Sequence, residues 1–160
     1  YGIDSVGLRY LNVYGPRQPF QAAYMDVIMH FLNRIDAGEP PQIHGDGSQT
    51  VDLVFVEDVA KANILALKSS VTNTFLNVSS GKETTLKELA GILLEISGRT
   101  DLEPTFTDRD NNLVTRRFGS ADTARELIGF VAETPPVEGL KRVRQWREHM
   151  KTATAETVGA

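Results

Sequence analysis

The stretch from Ser5 to Val13 constrains the fold most. Val6, Leu8, Tyr10 and Val13 give it the character of a strand at the centre of a sheet, covered on both faces. Such a strand needs strand neighbours and covering helices, so the chain is expected to build an α/β layer. The following sequence supplies them. Val51 to Val56 and Thr74 to Val78 read as two further strands, and Gln42 to His44 and Glu103 to Thr107 as shorter ones. Helices are expected between them. Tyr24 to Ala37 carries Val27, Ile28, Phe31, Leu32 and Ile35 at helical spacing and stops at Gly38. Asp58 to Ser69 has so little polar face that it reads as sandwiched.

Thr85-Leu86-Lys87-Glu88 has the spacing of a capping box. It opens a helix with Leu86, Leu89, Leu93 and Ile96 on one stripe, ended by Gly98. A short helix is expected over Ala121 to Ile128. Pro135 and Pro136 lead into a last helix whose inner face would carry Leu140, Val143, Trp146 and Met150. Residues 151–160 are small and polar and read as a flexible tail. There are no internal repeats. The order is an α/β layer followed by a more helical half.

Composition narrows the function. With 160 residues the chain can bury a real core. Its formal net charge of −4 does not favour nucleic acid, whose phosphates select basic faces. The absence of cysteine excludes disulfides and cysteine-based metal or redox sites, which fits a cytoplasmic protein. No apolar run approaches the ~20 residues of a membrane span. His30, His44 and His149 have no metal-ligand spacing. None of the 13 glycines builds the GxGxxG turn of a complete dinucleotide-binding fold. No tyrosine is followed by lysine four positions later: Tyr1, Tyr10, Tyr14 and Tyr24 are followed by Ser5, Tyr14, Gln18 and Ile28.

Three ordered segments carry a resemblance. Leu8-Arg9-Tyr10-Leu11-Asn12-Val13-Tyr14-Gly15-Pro16-Arg17-Gln18 is one. Gly45-Asp46-Gly47-Ser48-Gln49-Thr50 followed by Asp52 to Ala60 is the second. Ala124 to Phe130, with Glu138-Gly139-Leu140 and Trp146, is the third. Together they resemble the extended short-chain dehydrogenase/reductase family, and within it nucleotide-sugar epimerases and dehydratases of the UDP-glucose 4-epimerase kind. The resemblance covers roughly residues 1–150 and implies only the carboxyl-terminal half of such an enzyme. That half is the last part of a Rossmann-type parallel sheet plus a smaller mixed α/β substrate-binding part. The glycine-rich NAD turn and the catalytic Tyr-x-x-x-Lys would then lie upstream of residue 1, leaving no catalytic residue here.

The same resemblance implies site residues. Leu11 would lie against the nicotinamide of NAD. Asn12 would contact the diphosphate of a nucleotide sugar; read from its residue type alone, it is a side chain satisfying the local loop backbone. His44 stands where the family carries an aromatic residue stacked on the nucleobase. Val51 replaces an arginine that reaches the diphosphate, and valine binds no phosphate. Arg109 would be the second diphosphate arginine, with Arg116 and Arg117 near enough in sequence to share the role. Glu57 and Asp58 read as helix-start charges and Asp52 as a loop holder, rather than as paired acid/base groups. The expected parent is an NAD-dependent nucleotide-sugar epimerase. The alternatives are a 4,6-dehydratase or reductase on the same scaffold, or a binding or regulatory protein that kept the fold and lost activity. Homodimerisation of the parent is compatible with the resemblance.

Overall fold

The computed structural model describes residues 2–19, 26–108 and 114–158. In chain order the elements are β1 Val6–Tyr10, β2 Asn12–Tyr14, α1 Val27–Asp36, β3 Gln42–His44, β4 Thr50–Val51, β5 Leu53–Phe55 and α2 Val56–Lys68. Then come β6 Thr74–Val78, β7 Thr84–Thr85, α3 Leu86–Ile96, β8 Thr105–Thr107, β9 Arg116–Arg117, α4 Asp122–Ile128 and α5 Pro136–Val158. They gather into two units, and the expected α/β class holds in each.

The first unit comprises Tyr1–Tyr14, Gln49–Thr84 and Val114–Pro136. Three of its strand pairs are parallel. β1 runs beside β6 with Val6 opposite Thr74, β2 beside β5 with Asn12 opposite Leu53, and β4 beside β9 with Val51 opposite Arg117. Parallel neighbours cannot be joined by tight turns, so long stretches of chain separate them. Helix α2 packs on β5, β1 and β2, and α4 packs on β6 and α2. The core joins Val54, Leu76 and Val78 from strands to Val59 and Ala62 of α2, Ala124 and Ile128 of α4, and Phe130.

Several expectations change here. The stretch from Ser5 to Val13 is two strands, because the chain leaves β6 after Tyr10 and takes up β5 from Asn12. The stretch Val51 to Val56 divides in the same way at Asp52, and Val56 already belongs to α2. Strand β1 is not covered on both faces. Tyr10 is exposed and donates its hydroxyl to Asn63 Oδ1, and Arg9 lies over the exposed Phe75 ring at 4.7 Å. Helix α2 is not sandwiched either: Val59 and Ala62 point into the core while Ile64 and Leu67 are exposed. Its apolar residues extend round more of the helix than the single face this unit covers.

The second unit comprises Gly15–Ser48, Thr85–Leu113 and Val137–Ala160. Here β3 pairs in parallel with β8, and α1 packs on α3. Asp26 caps α1 by accepting from Met29 N, and Ile28, Met29, Phe31, Leu32 and Ile35 form its buried stripe. Residues 20–25, partly expected as helix, lie outside the described residues. The capping box is present: Thr85 Oγ1 accepts from Glu88 N, and Thr85 N donates to Glu88 Oε2.

On α5, Leu140 and Val143 are fully buried, but the next inward position belongs to Arg147 rather than Trp146, and Met150 is exposed. Arg147 Nε donates to Asp36 Oδ2 at 2.7 Å and its Nη2 to Asn33 Oδ1. A buried guanidinium is tolerated because its charge and donors are paired. The backbone of α5 stays helical to Val158, into the stretch expected as a tail. Among the described residues no helix is long and apolar enough to cross a membrane.

Candidate functional site

The exchange of strand partners at Leu11 builds the candidate site. Leu11 N still donates to Val78 O at 3.0 Å, closing the β1–β6 ladder, and Asn12 then opens the pairing with β5. Leu11 and Asn12 therefore sit at the carboxyl ends of β1 and β6, the end of a parallel α/β sheet where ligands bind. Leu11 is half-buried. A Cβ on Gly119 would come within 2.8 Å of Leu11 Cδ2, so glycine lets this loop close over the leucine. The loop is tied down by Ser79 Oγ donating to Gly119 O at 2.7 Å.

Asp52, the residue between β4 and β5, holds the site together. It is fully buried. Its Oδ1 accepts from Ser80 N at 2.8 Å and Ser80 Oγ at 2.7 Å, and its Oδ2 from Gly81 N at 3.1 Å. Its backbone N donates to Arg117 O at 2.8 Å, and its backbone O accepts from Asn12 Nδ2 at 3.0 Å. The carboxylate is thus committed to the loop after β6, as expected of a loop holder, and the backbone of Asp52 links Asn12 to Arg117. Asp58 acts similarly at the start of α2: its two oxygens accept from Glu133 N and Thr134 N, besides placing charge in the helix's first turn.

Asn12 uses one amide hydrogen on Asp52. Among the described residues its other hydrogen and its Oδ1 have no partner, although an amide has capacity for more. Val51 is half-buried on β4, beside β9. Arg116, opposite Thr50, is bound to Glu83: Nη2 to Oε1 at 2.5 Å and Nε to Oε2 at 3.0 Å. It also lies over the Phe118 ring at 4.9 Å. The hydrogen bonds from Arg116, and then the one from Thr50, hold the Glu83 carboxyl down to about 2. Arg117 is exposed and has no ion pair among the described residues. Of the three candidate arginines, Arg116 is thus occupied, and Arg109 lies outside the described residues.

A cavity of about 340 Å³ in the same unit is lined by Ser79, Ser80, Gly81, Phe118, Ser120 and Arg125, among others. Its polar groups are already engaged. Ser79 bonds Gly119, Ser80 bonds Asp52, Ser120 bonds Asp122, and Arg125 pairs with Asp122.

Leu11, Asn12 and Val51 are brought together in the first unit. His44 belongs to the second, exposed on β3, with its Nδ1 sharing a 2.8 Å hydrogen bond with the Thr107 hydroxyl of β8. The turn after it is held by Ser48 N and Oγ donating to Asp46 Oδ1. Among the described residues no group of three or more His, Cys, Asp or Glu residues is arranged to hold a metal. Sequence reasoning passed over the central place of Asp52 and the register of Arg117. The segments that reveal them are not neighbours in the chain: Asp52 lies 28 positions from Ser80 and 40 from Asn12.

Comparison with known proteins agrees with this geometry. The family model of the NAD dependent epimerase/dehydratase family matches residues 1–79. A putative UDP-glucose 4-epimerase of Methanocaldococcus jannaschii is 37% identical over 150 residues, covering 93% of this chain and 47% of that protein. The crystal structure of UDP-glucose 4-epimerase from Thermotoga maritima with UDP-glucose superposes with a TM-score of 0.86 at 34% identity, over 94% of this chain and 48% of that one. The UDP-N-acetylglucosamine 4-epimerase of Methanobrevibacter ruminantium, in complex with UDP-N-acetylmuramic acid, gives 0.85 at 33% identity, with coverages of 94% and 48%. The chain spans about half the length of the relatives it matches.

Proposed function

We propose a function for a chain whose residues 1–79 belong to the NAD dependent epimerase/dehydratase family: residues 1–150 form the sugar-nucleotide-binding half of an NAD-dependent nucleotide-sugar epimerase. The observation that carries this reading is the partner exchange at Leu11, which leaves Leu11 and Asn12 at the carboxyl ends of parallel strands. The UDP-sugars in the similar solved structures supply the substrate class.

Each residue's role follows from its chemistry. Leu11, apolar and packed against Gly119, fits a wall beside the nicotinamide and offers it no hydrogen bond. No glycine-rich turn is present in this sequence, so the cofactor's own pyrophosphate is held elsewhere in the parent. Bound NAD would supply hydride removal from the sugar ring and its return. The second amide hydrogen of Asn12 is available to a diphosphate oxygen. Arg109 gives the diphosphate a guanidinium fork. His44 offers a small π-face to the nucleobase, with Thr107 fixing its ring. Val51 lies at the edge of the diphosphate and contributes shape without charge. The groups that move protons at the sugar lie outside this chain.

Binding and turnover test the proposal separately. Calorimetric titration of this chain with UDP-glucose, UDP-N-acetylglucosamine and UDP is expected to show saturable binding of all three. Failure to bind any nucleotide sugar would refute the assignment. The NAD-loaded parent is expected to interconvert epimers at sugar carbon 4. A 4-keto-6-deoxy product would favour the dehydratase. Retained binding without turnover would favour the non-catalytic binder, the reading that Val51 recommends.

A further inference from the structure

The three histidines of this chain sit in different surroundings. His149 is exposed, and its Nδ1 meets Gln145 O. His44 is exposed and shares its hydrogen bond with the Thr107 hydroxyl. His30, on α1, is half-buried: its Nε2 is shut away from solvent and has no hydrogen-bond partner. The centre of its ring lies 6.2 Å from that of Phe31, which is fully buried. A neutral imidazole leaves one nitrogen unsatisfied there, whereas an imidazolium would leave a donor and a charge.

The groups around His30 offer that charge no partner. On the same helix, Asp26 O accepts from His30 N, but the Asp26 carboxylate is committed to Met29 N and Gln18 Nε2. Arg34, one turn further on, repels a second cation and is itself paired with Glu39 at 3.1 Å. His44 of β3 is within electrostatic reach and acts in the same sense. Burial first, then Arg34 and His44, push the His30 imidazolium below its ordinary 6.5. Among the described residues no carboxylate opposes these effects.

We propose that His30 is an acid-operated switch in the second unit: neutral, its ring stays inside beside Phe31; protonated, it turns out to solvent and opens α1 around it. Histidine is the side chain whose charge ordinarily changes between pH 5 and 8, so the switch works near neutrality. Because the folded value is the lower one, the opened form takes up its proton first as pH falls through 6.5. The closed form is therefore fully favoured above 6.5 and loses ground below it. This window lies apart from that of the Asp36 carboxyl, held at about 2. The switch involves no ligand, so its test is independent of the nucleotide-sugar reading.

Hydrogen exchange of the α1 amides in the full chain, corrected for the intrinsic pH dependence of exchange, reads the opening. Wild-type protection should be level above pH 6.5. It should fall by up to roughly tenfold for each pH unit from about 6.5 to about 5, the limit for one proton taken up on opening. His30→Phe and His30→Gln, neither of which titrates, should stay level through that range, and His149→Gln should keep the wild-type fall. Melting temperatures at neutral pH identify a variant that has lost its fold. NMR titration of the wild-type histidine rings, assigned through the backbone, gives a readout that needs no variant, and His30 should titrate below 6.5. The proposal is overturned by wild-type protection that does not fall, by a fall that persists in a folded His30→Phe or His30→Gln, by a fall lost in a folded His149→Gln, or by a His30 titration at or above 6.5.

Discussion

Replacing Asp52 by alanine should damage both the fold and the site. Asp52 is fully buried, and its carboxylate satisfies Ser80 N, Ser80 Oγ and Gly81 N. Alanine leaves all three donors without their acceptor at once. The Ser80 hydroxyl can turn towards Lys82 O, which already lies 3.4 Å away, but the two backbone N–H groups have no such freedom. A buried donor left unpaired costs about 1–3 kcal/mol, so two cost about 2–6 kcal/mol. Small domains have only about 5–15 kcal/mol in all, so the variant should be close to unfolding. Asp52→Asn keeps one acceptor oxygen but turns an NH₂ towards one of the donors, and should lose about 2–3 kcal/mol. Asp52 N and O belong to the backbone, so their bonds to Arg117 and Asn12 persist wherever the fold does. Urea denaturation read by circular dichroism measures the loss for each variant. A change below about 1 kcal/mol for Asp52→Ala would refute the argument that this carboxylate holds the loop.

Other consequences are as direct. Burial works to raise the Asp36 carboxyl, but hydrogen bonds from Lys151, Arg144 and Arg147 overcome it and hold the group at about 2 against an ordinary 3.8. Because the folded value is the lower one, Asp36 contributes about 2 kcal/mol that is fully present above about pH 5 and lost as pH falls towards 2. Urea midpoints of wild type should therefore fall across that range, and Asp36→Asn should flatten the fall. Gly119→Val should push Leu11 out of place, since even a Cβ would stand 2.8 Å from its Cδ2. Overpacking of this kind costs about 1–3 kcal/mol, and a melting curve checks it. This chain alone should bind NAD only weakly, because its sequence contains no glycine-rich turn; submicromolar affinity by calorimetry would contradict that.

Much of the local structure was legible in the sequence because it depends on neighbours along the chain. The Thr85–Glu88 capping box, the stripe of α1 and the stop at Gly38 involve residues at most a few positions apart, where side-chain type and helical period act directly. The α/β class followed from the same periodicities, and the three ordered segments pointed to the family that residues 1–79 match. Residue chemistry alone also established that Val51 binds no phosphate and that no disulfide can form.

Tertiary structure decided what depends on partners. No local pattern says that the strand beginning at Val6 changes neighbour at Leu11, because β6 and β5, which divide it, come from later in the chain. Nor does periodicity choose Arg147 over Trp146 for the interior of α5. That choice depends on Asp36 and Asn33, set by α1 more than 100 positions earlier, which pair the buried guanidinium. The same holds for the site. Asp52 was legible as a loop holder, but Ser80 and Gly81 as the loop it holds, Asn12 on its carbonyl and Arg117 beside Val51 are products of strand register. Register is fixed by the burial of whole strand faces, and a slip of one residue would send Arg117 to the other side of the sheet.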